Sequence, residues 1–311
     1  MNAGSRLALY GAGLVVAFGG AFAVAGAIIP DSTVAAWAEG SDMNEHGESQ
    51  PGNQSQSNVQ DLKGLSLDAD GFVLSPVKAP SEVGTQGALS FQILTAAGEP
   101  VTEYTEAHEK DLHLIVVRSD GAEFRHVHPT LDAITGTWSV PWSWDEAGTY
   151  RVYADFTPGT EGAEGITLTR SVDVAGDLSP ATPEVQRVAE VDGFTVTLDG
   201  DLTAGESAEL MISVERDGQP VTTLEPYLGA FGHLVALRQG DLAYLHVHAM
   251  GDEPEAGETA GPDIGFMAEA PTAGRYLLYL DFQVEGKVHT AEFVVDAGHG
   301  DGSPSEDEGG H

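Results

Sequence analysis

The segment HLIVVRSDGAEFRHVH, from His113 to His128, decides how this chain is read, because it returns as HLVALRQGDLAYLHVH from His233 to His248. Each copy is an apolar run, a polar tight turn (Asp120-Gly121; Gly240-Asp241) and a second run, the pattern of a β-hairpin. With those pairs at the turn centre, Ser119 faces Ala122, and counting outward sets His113 opposite His128. The same count sets His233 opposite His248. Side chains alternate along a strand, so His126 shares the face of His128, and His246 that of His248. Directly opposed residues have Cβ atoms about 4.5 to 5.5 Å apart. The hairpin therefore gathers three imidazoles of each copy on one surface, where a single ion would bridge them. These triads take six of the eleven histidines.

The repetition extends outward from the hairpins. Gly71-Phe72 recurs as Gly193-Phe194, Gly98-Glu99-Pro100-Val101 as Gly218-Gln219-Pro220-Val221, and GTYRVYADF (Gly148 to Phe156) as GRYLLYLDF (Gly274 to Phe282). The order of landmarks is kept, which marks a duplicated domain. The repeats span residues 67–178 and 186–298, joined by a linker, Asp177 to Glu184, that holds two prolines.

Within each repeat, short apolar runs are separated by Gly, Pro, Asp and Asn, with no helical periodicity, as in an all-β sandwich. Tyr150, Val152, Ala154 and Phe156 alternate toward a core, as do Tyr276, Leu278, Leu280 and Phe282. The intervening Tyr153, Asp155, Tyr279 and Asp281 then point away from it. Ala147-Gly148-Thr149-Tyr150 and Ala273-Gly274-Arg275-Tyr276 have the form of the tyrosine corner of immunoglobulin-like sandwiches.

Residues 1–30 carry an uncharged apolar run, Leu7 to Ile29, after Arg6. About twenty such residues suit a transmembrane helix, with the single flanking Arg placing the N-terminus inside and the rest outside. Ala36-Trp37-Ala38 offers the alternative of a cleaved signal. Both send the folded part out of the cytoplasm, either held at the membrane or secreted. Residues 31–66 are a polar linker of Ser, Gln, Asn and Gly that cannot bury enough surface to order itself, and 299–311 form an acidic tail of the same kind. With 49 acidic and 13 basic side chains, a net charge of -36 excludes a nucleic-acid partner and favours cations. The absence of cysteine excludes disulfides and thiolate-ligated metal centres.

Neutral imidazoles over the apolar floor of Ile115, Val117, Phe124, Val235, Leu237 and Tyr244 suit Cu(II), Zn(II) or Ni(II). Asp155 and Asp281 hold matching positions and are candidates for a carboxylate that orients a ligating ring. Met250, two residues after His248, adds a soft thioether to the second copy alone. His108 and His289 occur in one copy each and are read as ordinary surface or strand residues. No Gly-x-Ser-x-Gly elbow, phosphate loop or dinucleotide fingerprint occurs, so the chain does not read as an enzyme.

The Gly-x-Pro-Val step, the strand opening His-Leu, the HVH triplet and the Ala-Gly-x-Tyr corner with Tyr-x-Asp-Phe together resemble bacterial membrane-anchored or secreted proteins labelled heavy-metal-binding or YtkA-like. Those are similar to the immunoglobulin-like, cupredoxin-related copper-resistance domains. The resemblance covers both repeats and implies two tandem β-sandwiches handling copper, with zinc the alternative, at His113, His126 and His128 and at His233, His246 and His248. It departs from the copper-resistance domains in having no Met-rich segment and no N-terminal histidine brace. The function it implies is a metal buffer or carrier. A non-catalytic adhesion or scaffold module with structural histidines is the second class, and a metal-dependent enzyme the third. The residues name no protein partner.

Overall fold

Runs rich in Val, Ile, Leu, Tyr and Phe, punctuated by turn residues, become strands throughout, and the described residues contain no helix. The computed structural model describes residues 64–245, 247–255 and 257–300. The apolar run Leu7 to Ile29, nearly all of the polar linker, His246 and the acidic end from residue 301 lie outside the described residues. Among the described residues no helix is long and apolar enough to cross a membrane.

The first repeat contains, in chain order, Asp68–Ala69 (β1), Phe72–Leu74 (β2), Gly87–Thr95 (β3), Tyr104–Thr105 (β4), Leu112–Arg118 (β5), Arg125–Val127 (β6), Thr130–Asp132 (β7), Thr137–Trp142 (β8), Gly148–Pro158 (β9) and Ile166–Val174 (β10). They form two sheets, β1-β2-β3-β8-β7 and β10-β9-β5-β6, with β4 against β9. The second repeat contains Val188–Val191 (β11), Phe194–Asp199 (β12), Leu202–Thr203 (β13), Ser207–Arg216 (β14), Gln219–Pro220 (β15), His233–Arg238 (β16), Val247–Ala249 (β17), Asp263–Glu269 (β18), Gly274–Val284 (β19) and Lys287–Gly298 (β20). Its sheets run β11-β12-β14-β18-β17 and β13-β20-β19-β16, with β15 against β14. Each repeat is thus an immunoglobulin-like sandwich with its own core. Leu89, Ile93, Leu114, Val152 and Trp144 are buried in the first, and Val196, Ile212, Leu278, Phe282 and Phe293 in the second. Both tyrosine corners are present. The Tyr150 hydroxyl donates to the Glu146 carbonyl at 2.8 Å and the Tyr276 hydroxyl to the Thr272 carbonyl at 2.7 Å.

The face read as pointing outward is covered. Strand β5 is buried at every position. Leu112, Leu114 and Val116 enter their own core, whereas Ile115, Val117 and Tyr153 pack with Val235, Leu237, Leu242, Leu277 and Tyr279 of the second repeat. Two hydrogen bonds close this third core reciprocally. The Tyr153 hydroxyl donates to the Leu242 carbonyl and the Tyr279 hydroxyl to the Gly121 carbonyl, each at 2.6 Å. The equivalent tyrosines exchange roles, which is the signature of a two-fold-like interface between two copies of one domain.

Candidate metal centre

The first triad is built by the β5–β6 hairpin. Leu114 pairs with Val127, Ile115 with His126 and Val116 with Arg125, a register that carries on to His113 opposite His128. The turn itself differs from the sequence expectation. The Gly121 amide donates to the Arg118 carbonyl and the Arg118 amide to the Ala122 carbonyl, at 2.8 and 2.9 Å. The turn is therefore centred on Ser119-Asp120, with Gly121 at φ 89°. One extra residue then enters the second strand, where Glu123 adopts φ 57°. This bulge restores the register before the histidines.

Three ring nitrogens converge. Nδ1 of His113 lies 3.1 Å from Nε2 of His126 and 3.2 Å from Nε2 of His128, and the three residues can place one nitrogen each within 4.8 Å of one another. Nitrogens bound to one zinc at about 2.0 to 2.1 Å in tetrahedral geometry stand roughly 3.3 Å apart. The outer nitrogens of two rings are held. Nε2 of His113 donates to the Ala107 carbonyl at 3.0 Å, so its Nδ1 presents a lone pair inward. Nδ1 of His126 lies 2.8 Å from Oδ2 of Asp281, whose Oδ1 accepts the Thr290 hydroxyl at 2.6 Å. A single proton satisfies one of the contacts on His113 Nδ1; a cation satisfies all three nitrogens.

Burial sets the charge state. Desolvation, followed by repulsion from neighbouring rings, pushes His126 and His128 down to about 3 and lowers His233; desolvation lowers His113 too, against the opposing pull of its Ala107 bond and of Asp155. Desolvation also pushes the Asp281 carboxyl up to about 7. The rings are consequently neutral near pH 7, the state in which imidazole ligates a metal.

The second copy does not repeat this arrangement. Leu237 still bridges Tyr244, as the hairpin count requires. The chain then leaves β16: Val247 pairs with Ala268 and His248 with Met267 of β18, in the opposite sheet. His248 is exposed and pairs with β18, where the hairpin count set it opposite His233; His246 lies outside the described residues. In the first copy the same change of sheet comes later, after Pro129, where Thr130 joins β8 opposite Ser139. His233 instead joins the first cluster. Its ring stacks on His113 at 5.6 Å and 2° and lies 5.0 Å from His126.

His108, read from the sequence as ordinary, has its ring 5.5 Å from that of His233 and 6.0 Å from that of His113. It sits with Glu109 in a two-residue turn, φ 50° and 61°, closed by reciprocal bonds between Ala107 and Lys110. Leu228 and Gly229 make the matching turn of the second repeat, φ 58° and 77°, so Gly229 was the signal for this turn. Asp155 faces His113 across β5–β9 and accepts the Thr167 hydroxyl at 2.8 Å. Met250 is 45% exposed, with its sulfur beside Gly265. A cleft of about 720 Å³ reaches His113 and His233 and has Glu106, Glu109, Asp252 and Glu253 in its lining. Lys110 shares this lining, which is acidic on balance.

The family described as Domain of unknown function (DUF8832) matches residues 68–174 and again 189–299. The chain belongs to this family. Each match coincides with one sandwich, so the duplicated unit is the DUF8832 domain. No heavy-metal-binding or YtkA-like family, which the motifs resemble, matches the chain. No curated protein matches the chain. Among solved structures the two DUF8832 domains are similar to invasin, a bacterial integrin-binding protein, with 12% identity over 73% of this chain and 38% of that one and a TM-score of 0.22. They are similar to the Yersinia pseudotuberculosis adhesin InvE, with 12% identity over 75% and 60% and a TM-score of 0.21. Fibronectin(III)-like modules of Clostridium thermocellum CbhA match with 10% identity over 73% and 95% and a TM-score of 0.19. The chain thus spans less than two thirds of the invasin and InvE chains, and at these TM-scores the likenesses add nothing to the fold already described.

Proposed function

We propose that this protein holds a transition-metal ion at His113, His126 and His128 and serves as an extracytoplasmic metal buffer or carrier. The single observation that carries this is the convergence of three imidazole nitrogens at 3.1 and 3.2 Å about His113 Nδ1, with the outer nitrogens of two rings engaged by Ala107 and Asp281. An apolar floor and held outer nitrogens are what a preorganised histidine site needs. Copper is the ion of choice from the resemblance of the motifs to copper-handling domains, and zinc satisfies the same nitrogens. Placement outside the membrane, by an anchor or a cleaved signal in residues 1–30, belongs to the same proposal and rests on the sequence.

The test is calorimetric titration of the purified chain with Cu(II) and Zn(II). One tightly bound ion per chain is the expected result, lost in His113→Ala and in His126→Ala with the far-UV spectrum unchanged. The absence of binding by a folded chain refutes the site. That outcome favours the second reading, a scaffold or adhesion module. Its support is that His126 is tied to the other repeat through Asp281, as a purely structural histidine would be.

A further inference from the structure

The carboxylate that holds the first repeat's triad comes from the second repeat. Asp281 lies on β19, and its Oδ2 meets Nδ1 of His126, 155 positions earlier, at 2.8 Å. The two side chains are 4% and 0% exposed. Thr290 of β20 donates to the other carboxylate oxygen and fixes its plane. An imidazole lends a lone pair only from the nitrogen that carries no proton, and a carboxylate on the far nitrogen keeps the proton there. With Nδ1 of His126 turned to Asp281, Nε2 faces His113.

We propose that Asp281 is a positioning residue for the first repeat's triad, so that metal affinity and the docking of the second repeat against the first form one linked equilibrium. The proposal rests on reading the triad as a metal site. Asp281 reaches His126 because the core of Ile115, Val117 and Tyr153 against Val235, Leu237 and Tyr279 holds the two sheets face to face. Undocking removes the acceptor from His126, withdraws the His233 ring stacked against it and opens the triad to water. Linkage then works both ways: an ion that requires the docked arrangement tightens docking by the factor by which docking tightens the ion. The two-fold-like tyrosine bonds make docking a property of both repeats, so the site belongs to the pair.

Two measurements on the full chain decide this. The first is Zn(II) affinity by competition with a chromophoric chelator. Asp281→Asn weakens binding about 10- to 100-fold. Tyr279→Phe, which removes the bond to the Gly121 carbonyl and touches no imidazole, weakens it in the same direction. Asp192→Asn, at the carboxylate beside His289, leaves it unchanged. Wild-type affinity in Asp281→Asn overturns the proposal. The second measurement uses no metal. A protease site placed between Ser179 and Pro183 is cut in the folded chain, and the association of the two halves is compared among the parent, His126→Ala, Asp281→Asn and the double variant. The combined loss falls about tenfold short of the product of the single losses if the two side chains act through each other; losses that multiply overturn it. A parent chain that takes up no zinc removes the metal reading, and the positioning of His126 by Asp281 then stands or falls on that coupling.

Discussion

Tyr153 and Tyr279 occupy the same place in the two repeats, and each gives its hydroxyl proton to a carbonyl of the other. A phenolate there would set a negative oxygen against a carbonyl oxygen in a buried interface. Desolvation accordingly raises both phenols, and it pushes Tyr104, Tyr150 and Tyr227 up to about 12. In the unfolded chain phenols ionise near 10. Above that pH the unfolded state binds fewer protons than the folded one, so stability falls as pH rises. This stabilisation is complete below about pH 10 and is lost as the pH climbs through about 12. Absorbance at 295 nm should show these phenols ionising late and together with unfolding. Early ionisation of all the tyrosines near pH 10 in a folded chain would contradict their burial. At this scale the sequence picked out His113, His126 and His128, which the structure brings together, and concealed their partners. The Asp281 position was legible from the alternation of β19, but its histidine, in the other repeat, was not. His108 was passed over because its counterpart, Leu228, carries no imidazole.

The β5–β6 hairpin was legible down to its register, because alternation and a Gly-containing turn suffice to pair neighbouring strands. The turn centre was not, since the bulge at Glu123 offsets a shift that periodicity alone does not reveal. Strand β17 escaped for a different reason. HVH is identical in the two copies, yet the choice of partner strand is a long-range matter. Pro129, which has no amide proton to give, marks the departure from β5 in the first copy. In the second copy Ala249 takes that place, a longer loop from Gly251 to Asp263 gives slack, and β18 pairs with the chain already at Val247. Gly121 offers a test of the hairpin as an element. At φ 89°, a Cβ added there would lie 2.4 Å from Leu277 Cδ1 and 3.4 Å from the Tyr279 hydroxyl. Gly121→Ala combines left-handed strain of about 1 to 2 kcal/mol with overpacking of about 1 to 3 kcal/mol. A loss of about 2 to 5 kcal/mol in urea unfolding is expected. A neutral effect would mean that the turn moves freely and that the interface does not constrain it.

Across the whole molecule, each repeat buries one face of β5 or β16 in its own core and the other face against its twin. The near-continuous apolar runs LHLIVV and LVAL have the composition of strands covered on both sides, a signal passed over when the alternation was read as turning one face outward. Two small cores joined by a third should unfold together, because loss of either repeat exposes Ile115, Val117, Leu237 and Leu277 to water. Leu237→Asp probes this directly. The site is fully buried, and a carboxylate introduced there has no cationic partner in the surrounding apolar cluster. Leaving such a charge docked costs more than about 4 kcal/mol, whereas undocking the repeats lets it reach water and leaves the core around Leu278 and Phe282 closed. Calorimetry of the variant should therefore show the single transition of the parent resolved into two, one per sandwich. A single transition merely displaced to lower temperature would mean that neither sandwich persists without its twin, and that the shared core is a condition of folding as well as of docking.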